Sequence, residues 1–177
     1  MCKPESTIKI PLKFEKACDA VATLFLQDRT KAIGKVLSEP PQIDEILVRQ
    51  RLIEHLKDSA QAVPLNTILW GGCTASEVWT DKTLATLQGD LTSASIATGE
   101  RWSLQIIPKS LAQTGHHFAI GRVEATGKWW LVDPYTAFYI FSTVEELAKF
   151  TKNLLDSSPY FNHETQTVLL KITGSAG

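Results

Sequence analysis

The feature that most constrains this chain is a change of period partway along it. Up to about residue 64 the apolar residues recur mainly at helical spacing. From Arg101 onward they fall in short runs rich in aromatic and β-branched residues. Ala17, Cys18, Val21, Phe25 and Ile33 predict a helix from Glu15 to about Val36, with Cys18 on its apolar face as a core residue. Pro40-Pro41 closes it, and Ile43, Ile46, Leu47, Ile53, Leu56 and Ala60 predict a second helix over 42–61. Five strand-like runs come later: Arg101–Ile107, Gly115–Val123, Lys128–Asp133, Ala137–Phe141 and Thr167–Thr173. Between the last two, Ser142-Thr143-Val144-Glu145 reads as a capping box opening a helix through Val144, Leu147, Thr151, Leu154 and Leu155. Helices first and a mostly antiparallel sheet second is the α+β pattern, with helices packed on the sheet.

The remaining segments fit around that frame. Residues 7–14 alternate, with Ile8, Ile10, Leu12 and Phe14 on one side, and Pro11 limits them to an edge strand or an extended arm. Thr80–Leu87 reads as a helical turn or two, and Gly89–Gly99 as a loop or weak helix. The 177 residues suit one domain, a helical part over 1–64 and a helix-plus-sheet part over 65–177. A net charge of −1 gives no electrostatic reason to expect nucleic acid or an acidic membrane as partner. Cys2, Cys18 and Cys73 are too few and wrongly spaced for a disulfide framework or a thiolate zinc site. The histidines lack ligand spacing, so no metal and no cofactor is expected. Reduced thiols and the lack of a leader-like apolar run suggest a cytoplasmic protein, or one exported by a route independent of a signal peptide.

One stretch carries a reactive group. In Trp70-Gly71-Gly72-Cys73-Thr74-Ala75-Ser76-Glu77 the glycines permit a sharp turn, and the residues after them read as a helix start. A cysteine in a first helical turn meets unpaired N–H groups, which favour thiolate over thiol, so Cys73 is the sequence's candidate nucleophile. Its partners come from a β-hairpin. His116–Val123 and Gly127–Asp133 are joined through Glu124-Ala125-Thr126, and a three-residue loop with glycine at the bulge is a common connection. That loop sets Val123 opposite Gly127, Gly121 opposite Trp129, Ala119 opposite Leu131 and His117 opposite Asp133. A slip of one would put His116 in place of His117. Cysteine, histidine and carboxylate are what nucleophilic acyl transfer needs. The thiolate attacks, the imidazole carries the proton, and the carboxylate orients the imidazole.

Trp70-Gly71-Gly72-Cys73, His117-Phe118-Ala119-Ile120 and Trp129-Trp130-Leu131-Val132-Asp133-Pro134 resemble the papain-like and transglutaminase-like cysteine hydrolase superfamily over roughly residues 65–141. Within it, C39-type peptidases and the papain-fold glutamine deamidases among bacterial toxins and effectors are similar. The resemblance implies a papain-like fold and a Cys73, His117, Asp133 triad. It also implies a thioester route to hydrolysis of an amide in a protein or peptide, by proteolysis, glutamine deamidation or transfer to an amine. Papain-like peptidases carry an oxyanion-hole glutamine where this chain has Thr67. Asn66 or Gln61 is then the side-chain candidate, beside the backbone N–H of Cys73. Trp70 and Trp129 are expected to line the substrate groove. Two other readings are an arylamine N-acetyltransferase type of acyltransferase, which Gly71-Gly72-Cys73 faintly echoes, and a non-catalytic protein-binding module using the five tryptophans.

Overall fold

The computed structural model describes residues 3–9, 18–27, 73–93, 101–107, 115–123 and 126–174. Its frame is a seven-stranded antiparallel sheet: β1 (Ser6–Lys9), β2 (Thr74–Thr83), β3 (Arg101–Ile107), β4 (His116–Arg122), β5 (Trp129–Asp133), β6 (Ala137–Phe141) and β7 (Gln166–Thr173). Across the sheet the order is β1-β6-β5-β4-β3-β7-β2. Among the described residues three helices accompany it: α1 (Cys18–Gln27), α2 (Leu87–Thr92) and α3 (Val144–Asp156). The α+β expectation thus holds for the described residues, and the five strands expected after residue 100 are all present. The helix expected over 42–61 lies outside the described residues, as do 15–17 and 28–36 at the ends of the first one.

Alternation along the strands sorts the side chains into two layers. Trp102, Leu104, Ile106, Phe118, Ile120, Trp129, Leu131, Phe141 and Leu169 face α2 and α3, and form one core with Leu87, Leu91, Leu147 and Leu155. The opposite face carries Arg101, Ser103, His117, Ala119, Gly121, Trp130, Val132 and Phe138, and α1 lies on it: Phe25 meets the rings of Trp130 at 6.4 Å and Phe138 at 6.0 Å. Ala119 and Gly121 keep the strand beneath α1 low. A Cβ added at Gly121 would fall 1.9 Å from Trp130 Cζ2, so only glycine leaves room for that indole.

Several local expectations shift by small, explicable amounts. The α3 capping box is present one residue later than the sequence suggests. Thr143 Oγ1 accepts from the Glu146 N–H at 3.2 Å, and Glu146 Oε2 accepts from the Thr143 N–H at 3.3 Å. Ser142 precedes the cap, its N–H also held by Glu146. β1 is an edge strand, paired only with β6 among the described residues and exposed throughout. Residues 80–83 belong to β2 and not to a helix, because β2 pairs with β7 as far as Thr83. The short helix falls at Leu87–Thr92 instead, burying Leu87 and Leu91.

Candidate active site

The hairpin of β4 and β5 departs from its expected register by one residue. Ala119 pairs with Val132, Gly121 with Trp130 and Arg122 with Trp129, while the Val123 N–H bonds Lys128 O at 2.8 Å. The connection is thus one residue longer than the three-residue loop the sequence suggested. Gly127, at φ 67°, takes the left-handed conformation at its end. With period two, that slip exchanges the histidines. His117 does not meet Asp133. It lies on the α1 face, 1% exposed, with Nε2 2.7 Å from Ser103 Oγ.

His116 is the residue that meets Asp133. Its Nε2 is 2.8 Å from Asp133 Oδ1, with both side chains buried. Asp133 ends β5 and turns the chain: its Oδ1 also accepts from the Tyr135 N–H at 3.1 Å, and Oδ2 from the Thr136 hydroxyl at 2.6 Å. Burial pushes its carboxyl up, but the His116 hydrogen bond and charge, with the Thr136 and Tyr135 bonds, outweigh this and hold it below the usual aspartate value. Thr136 continues the network to the Tyr139 hydroxyl at 2.8 Å, and burial raises that phenol above its ordinary value. The imidazole is packed on two sides, stacked on Tyr135 at 4.6 Å and edge-on to Phe118 at 4.3 Å. Its other nitrogen, Nδ1, is buried and has no hydrogen-bond partner among the described residues. A histidine oriented by a carboxylate through one nitrogen, with the second left open, is set up to exchange a proton with a third group.

Cys73 stands away from that histidine. It immediately precedes β2, a strand where a helix start was expected, so the activation argued for it from a helix terminus does not arise. The segment is rich in β-branched residues and anchors Trp79, whose indole N–H donates to Thr167 Oγ1 at 3.2 Å. Successive pairings Thr74–Thr173, Arg101–Ile172 and Arg101–Gly121 put Cys73 at one end of the sheet. His116 sits at the other end, level with Ile106 and Thr167. With two strands, β3 and β7, between them laterally as well, at roughly 4.8 Å per strand spacing and 3.3 Å per residue, the separation is on the order of 20 Å or more.

Cys18 is placed differently. It is the first residue of α1, and the helix makes most of its contacts with β4 and fewer with flanking β3 and β5, so it runs along β4. Its far end is fixed at the Gly121 end of that strand, where Arg101 donates to the Leu26 carbonyl. At about 1.5 Å per helical residue, Cys18 lies about 12 Å back along the axis, much the distance (about 13 Å) that β4 covers between Gly121 and His117. Cys18 therefore stands toward the histidine end of β4, on the face of the sheet that carries His117. Sequence periodicity made it a core residue, and it is indeed buried, at 8% exposure.

Of the other expected site residues, Asn66, Gln61 and Trp70 lie outside the described residues. Trp129 is core and not groove lining. It stands on the α2–α3 face, 6% exposed, stacked on Trp102 at 5.5 Å. Among the described residues no group of three or more His, Cys, Asp or Glu side chains could hold a metal ion, and no helix is long and apolar enough to cross a membrane.

No family model matches the chain, and no curated protein matches it. Solved structures do. The crystal structure of the Pseudomonas avirulence protein AvrPphB aligns over 96% of this chain and 97% of its own, with a TM-score of 0.60 at 15% identity. PatoxP, a cysteine protease-like domain of the Photorhabdus asymbiotica toxin PaTox, aligns over 96% of this chain and 54% of its own, with a TM-score of 0.49 at 12% identity. At these identities the likeness to AvrPphB is one of fold, running the length of the chain.

Proposed function

We propose that this protein is a cysteine hydrolase acting on an amide of a protein or peptide, with Cys18 as nucleophile, His116 as acid–base and Asp133 as the carboxylate that orients it. The observation carrying this reading is the His116–Asp133 pair with its open Nδ1 at the first residue of β4; α1 carries Cys18 toward that same end on the sheet's other face, so the reading requires the two to meet around the end of the strand. The fold shared with AvrPphB and the papain-like resemblance in the sequence support it. Chain order remains Cys, His, Asp. The first two members move from Cys73 and His117 to Cys18 and His116.

Each group has a defined task. The Cys18 thiolate, formed as its proton passes to His116, adds to the substrate carbonyl carbon. The proton it gave up sits on His116 Nδ1 and passes to the leaving amine as the C–N bond breaks, leaving a thioester. His116 then takes a proton from water, the hydroxide adds to the thioester carbonyl, and the thiolate departs. Asp133 stabilises the imidazolium through Nε2–H throughout. Peptide cleavage and glutamine deamidation share these steps and differ in the amine that leaves.

The test pairs labelling with turnover. Iodoacetamide at about pH 6, where a free thiol near pKa 8.5 is scarcely ionised, should label Cys18 ahead of Cys73. Cys18→Ala and His116→Ala should abolish turnover of a protein extract read by mass spectrometry, as new chain ends or as a gain of about one dalton at glutamine. Cys73→Ala and His117→Ala should leave it within about tenfold. First labelling at Cys73 with turnover intact in Cys18→Ala would overturn the assignment.

A further inference from the structure

We infer that Arg101 is a positioning residue for the nucleophile, acting through α1 from the end opposite the chemistry; this rests on Cys18 being that nucleophile. Arg101 is 3% exposed, at the first position of β3, which is paired on both sides, with Gly121 of β4 and Ile172 of β7. Its guanidinium reaches out of the sheet in two directions. Nη1 donates to the carbonyl of Leu26 near the end of α1, and Nη2 donates to the carbonyl of Gly174, just past β7.

Burying a guanidinium is costly, and a leucine would fill the same layer without that cost. What arginine adds is direction. A carbonyl oxygen has two lone pairs and accepts a charged donor strongly, so the guanidinium is both satisfied and held at Leu26. The planar fork holds two acceptors from separate segments in one fixed geometry, which an ammonium cannot copy. Phe25 against Trp130 and Phe138 adds apolar contacts, which resist separation more than sliding. Arg101 therefore fixes α1 along its axis. A helix of this length moves as a rod, so axial slip at Leu26 becomes the same slip at Cys18, and about 1 Å of misplacement at a reacting centre costs on the order of 10²-fold in rate.

The test is Arg101→Lys, which keeps the charge, beside Arg101→Met, which keeps the volume. In Arg101→Lys a cooperative melt should persist, while kcat on a protein substrate falls at least tenfold and KM stays within about threefold. Alkylation of Cys18 should be slower than wild type near pH 6, where the thiolate depends on His116, and equal near pH 10, where the thiol ionises unaided. A loss of stability alone would not give that pH-dependent gap. Wild-type kinetics in both variants would overturn the inference, and so would loss of the cooperative melt in both, which would make Arg101 a residue of global stability. Labelling of Cys73 ahead of Cys18 in the unmutated protein would instead remove the reading of the site on which the inference stands.

Discussion

Replacing Asp133 with asparagine separates catalysis from stability and predicts a size and a pH dependence for each. The carboxylate accepts three hydrogen bonds, from His116 Nε2, the Tyr135 N–H and the Thr136 hydroxyl. A bond to a charged partner is worth about 1.5–3 kcal/mol net, against about 0.5–1.5 for a neutral one. Removing the charge while keeping the shape therefore costs roughly 1 kcal/mol per bond, or about 2–4 kcal/mol in all. In a protein of this size that corresponds to a fall in Tm of about 5–15 °C, with a cooperative transition retained. Because the folded carboxyl is held below its ordinary value, the unfolded chain binds the proton more readily. The stabilisation is thus present above the unfolded pKa of about 3.9, and is lost as pH falls through the folded value. The gap in Tm between wild type and Asp133→Asn should be full at pH 7 and close progressively below about pH 4.

For catalysis the same substitution can hold the imidazole in the wrong tautomer, since an asparagine amide donates where the carboxylate accepted. Amide turnover should drop by on the order of 10⁴-fold. Reaction of Cys18 with iodoacetamide, which needs no proton delivered to a leaving amine, should survive. Scanning calorimetry across pH and a single-turnover assay measure the two effects independently. A Tm gap unchanged between pH 7 and pH 3 would refute the charge argument. Near-normal turnover would refute the orienting role of Asp133 and leave a Cys18–His116 dyad.

Two further substitutions probe the frame around the site. Gly121→Ala puts a Cβ into the Trp130 ring, which must move away from Phe25 and Phe138, so thermal unfolding should show at least the 1–3 kcal/mol of an overpacked core, about 3–10 °C in Tm; a melt within 1 °C of wild type would mean the indole has room elsewhere. Tyr135 is 38% exposed and stacked on the buried His116 ring, so Tyr135→Ala should admit water to the His116–Asp133 bond and lower kcat several-fold, while Tyr135→Phe keeps wild-type rates because the ring does the shielding; equal losses in both would assign the effect to the hydroxyl instead.

How legible the chain is depends on what each signal reports. The five strands after residue 100 were readable because Trp102, Leu104 and Ile106 alternate with Ser103 and Gln105, as do Phe118 and Ile120 with Ala119 and Gly121, and one buried layer enforces that period. The same logic picked out a hairpin with a histidine beside Asp133. Choosing between His116 and His117 required the length of the turn, to one residue, and neither Glu124-Ala125-Thr126 nor the glycine after it fixes that.

The nucleophile was harder to see for a different reason. Apolar period reports which face of a helix is buried, and it ranked Cys18 correctly as buried. The chemistry of a cysteine depends instead on what its thiol stands beside, which apolar period does not report. Gly71-Gly72 before Cys73, by contrast, is a conspicuous turn signal, yet it is compatible with entry into a strand as well as a helix. A local marker of backbone freedom thus drew attention to the thiol at the far end of the sheet from the imidazole. Cys18 is singled out only by tertiary placement, on a helix lying along β4 and toward the end of that strand where His116 pairs with Asp133.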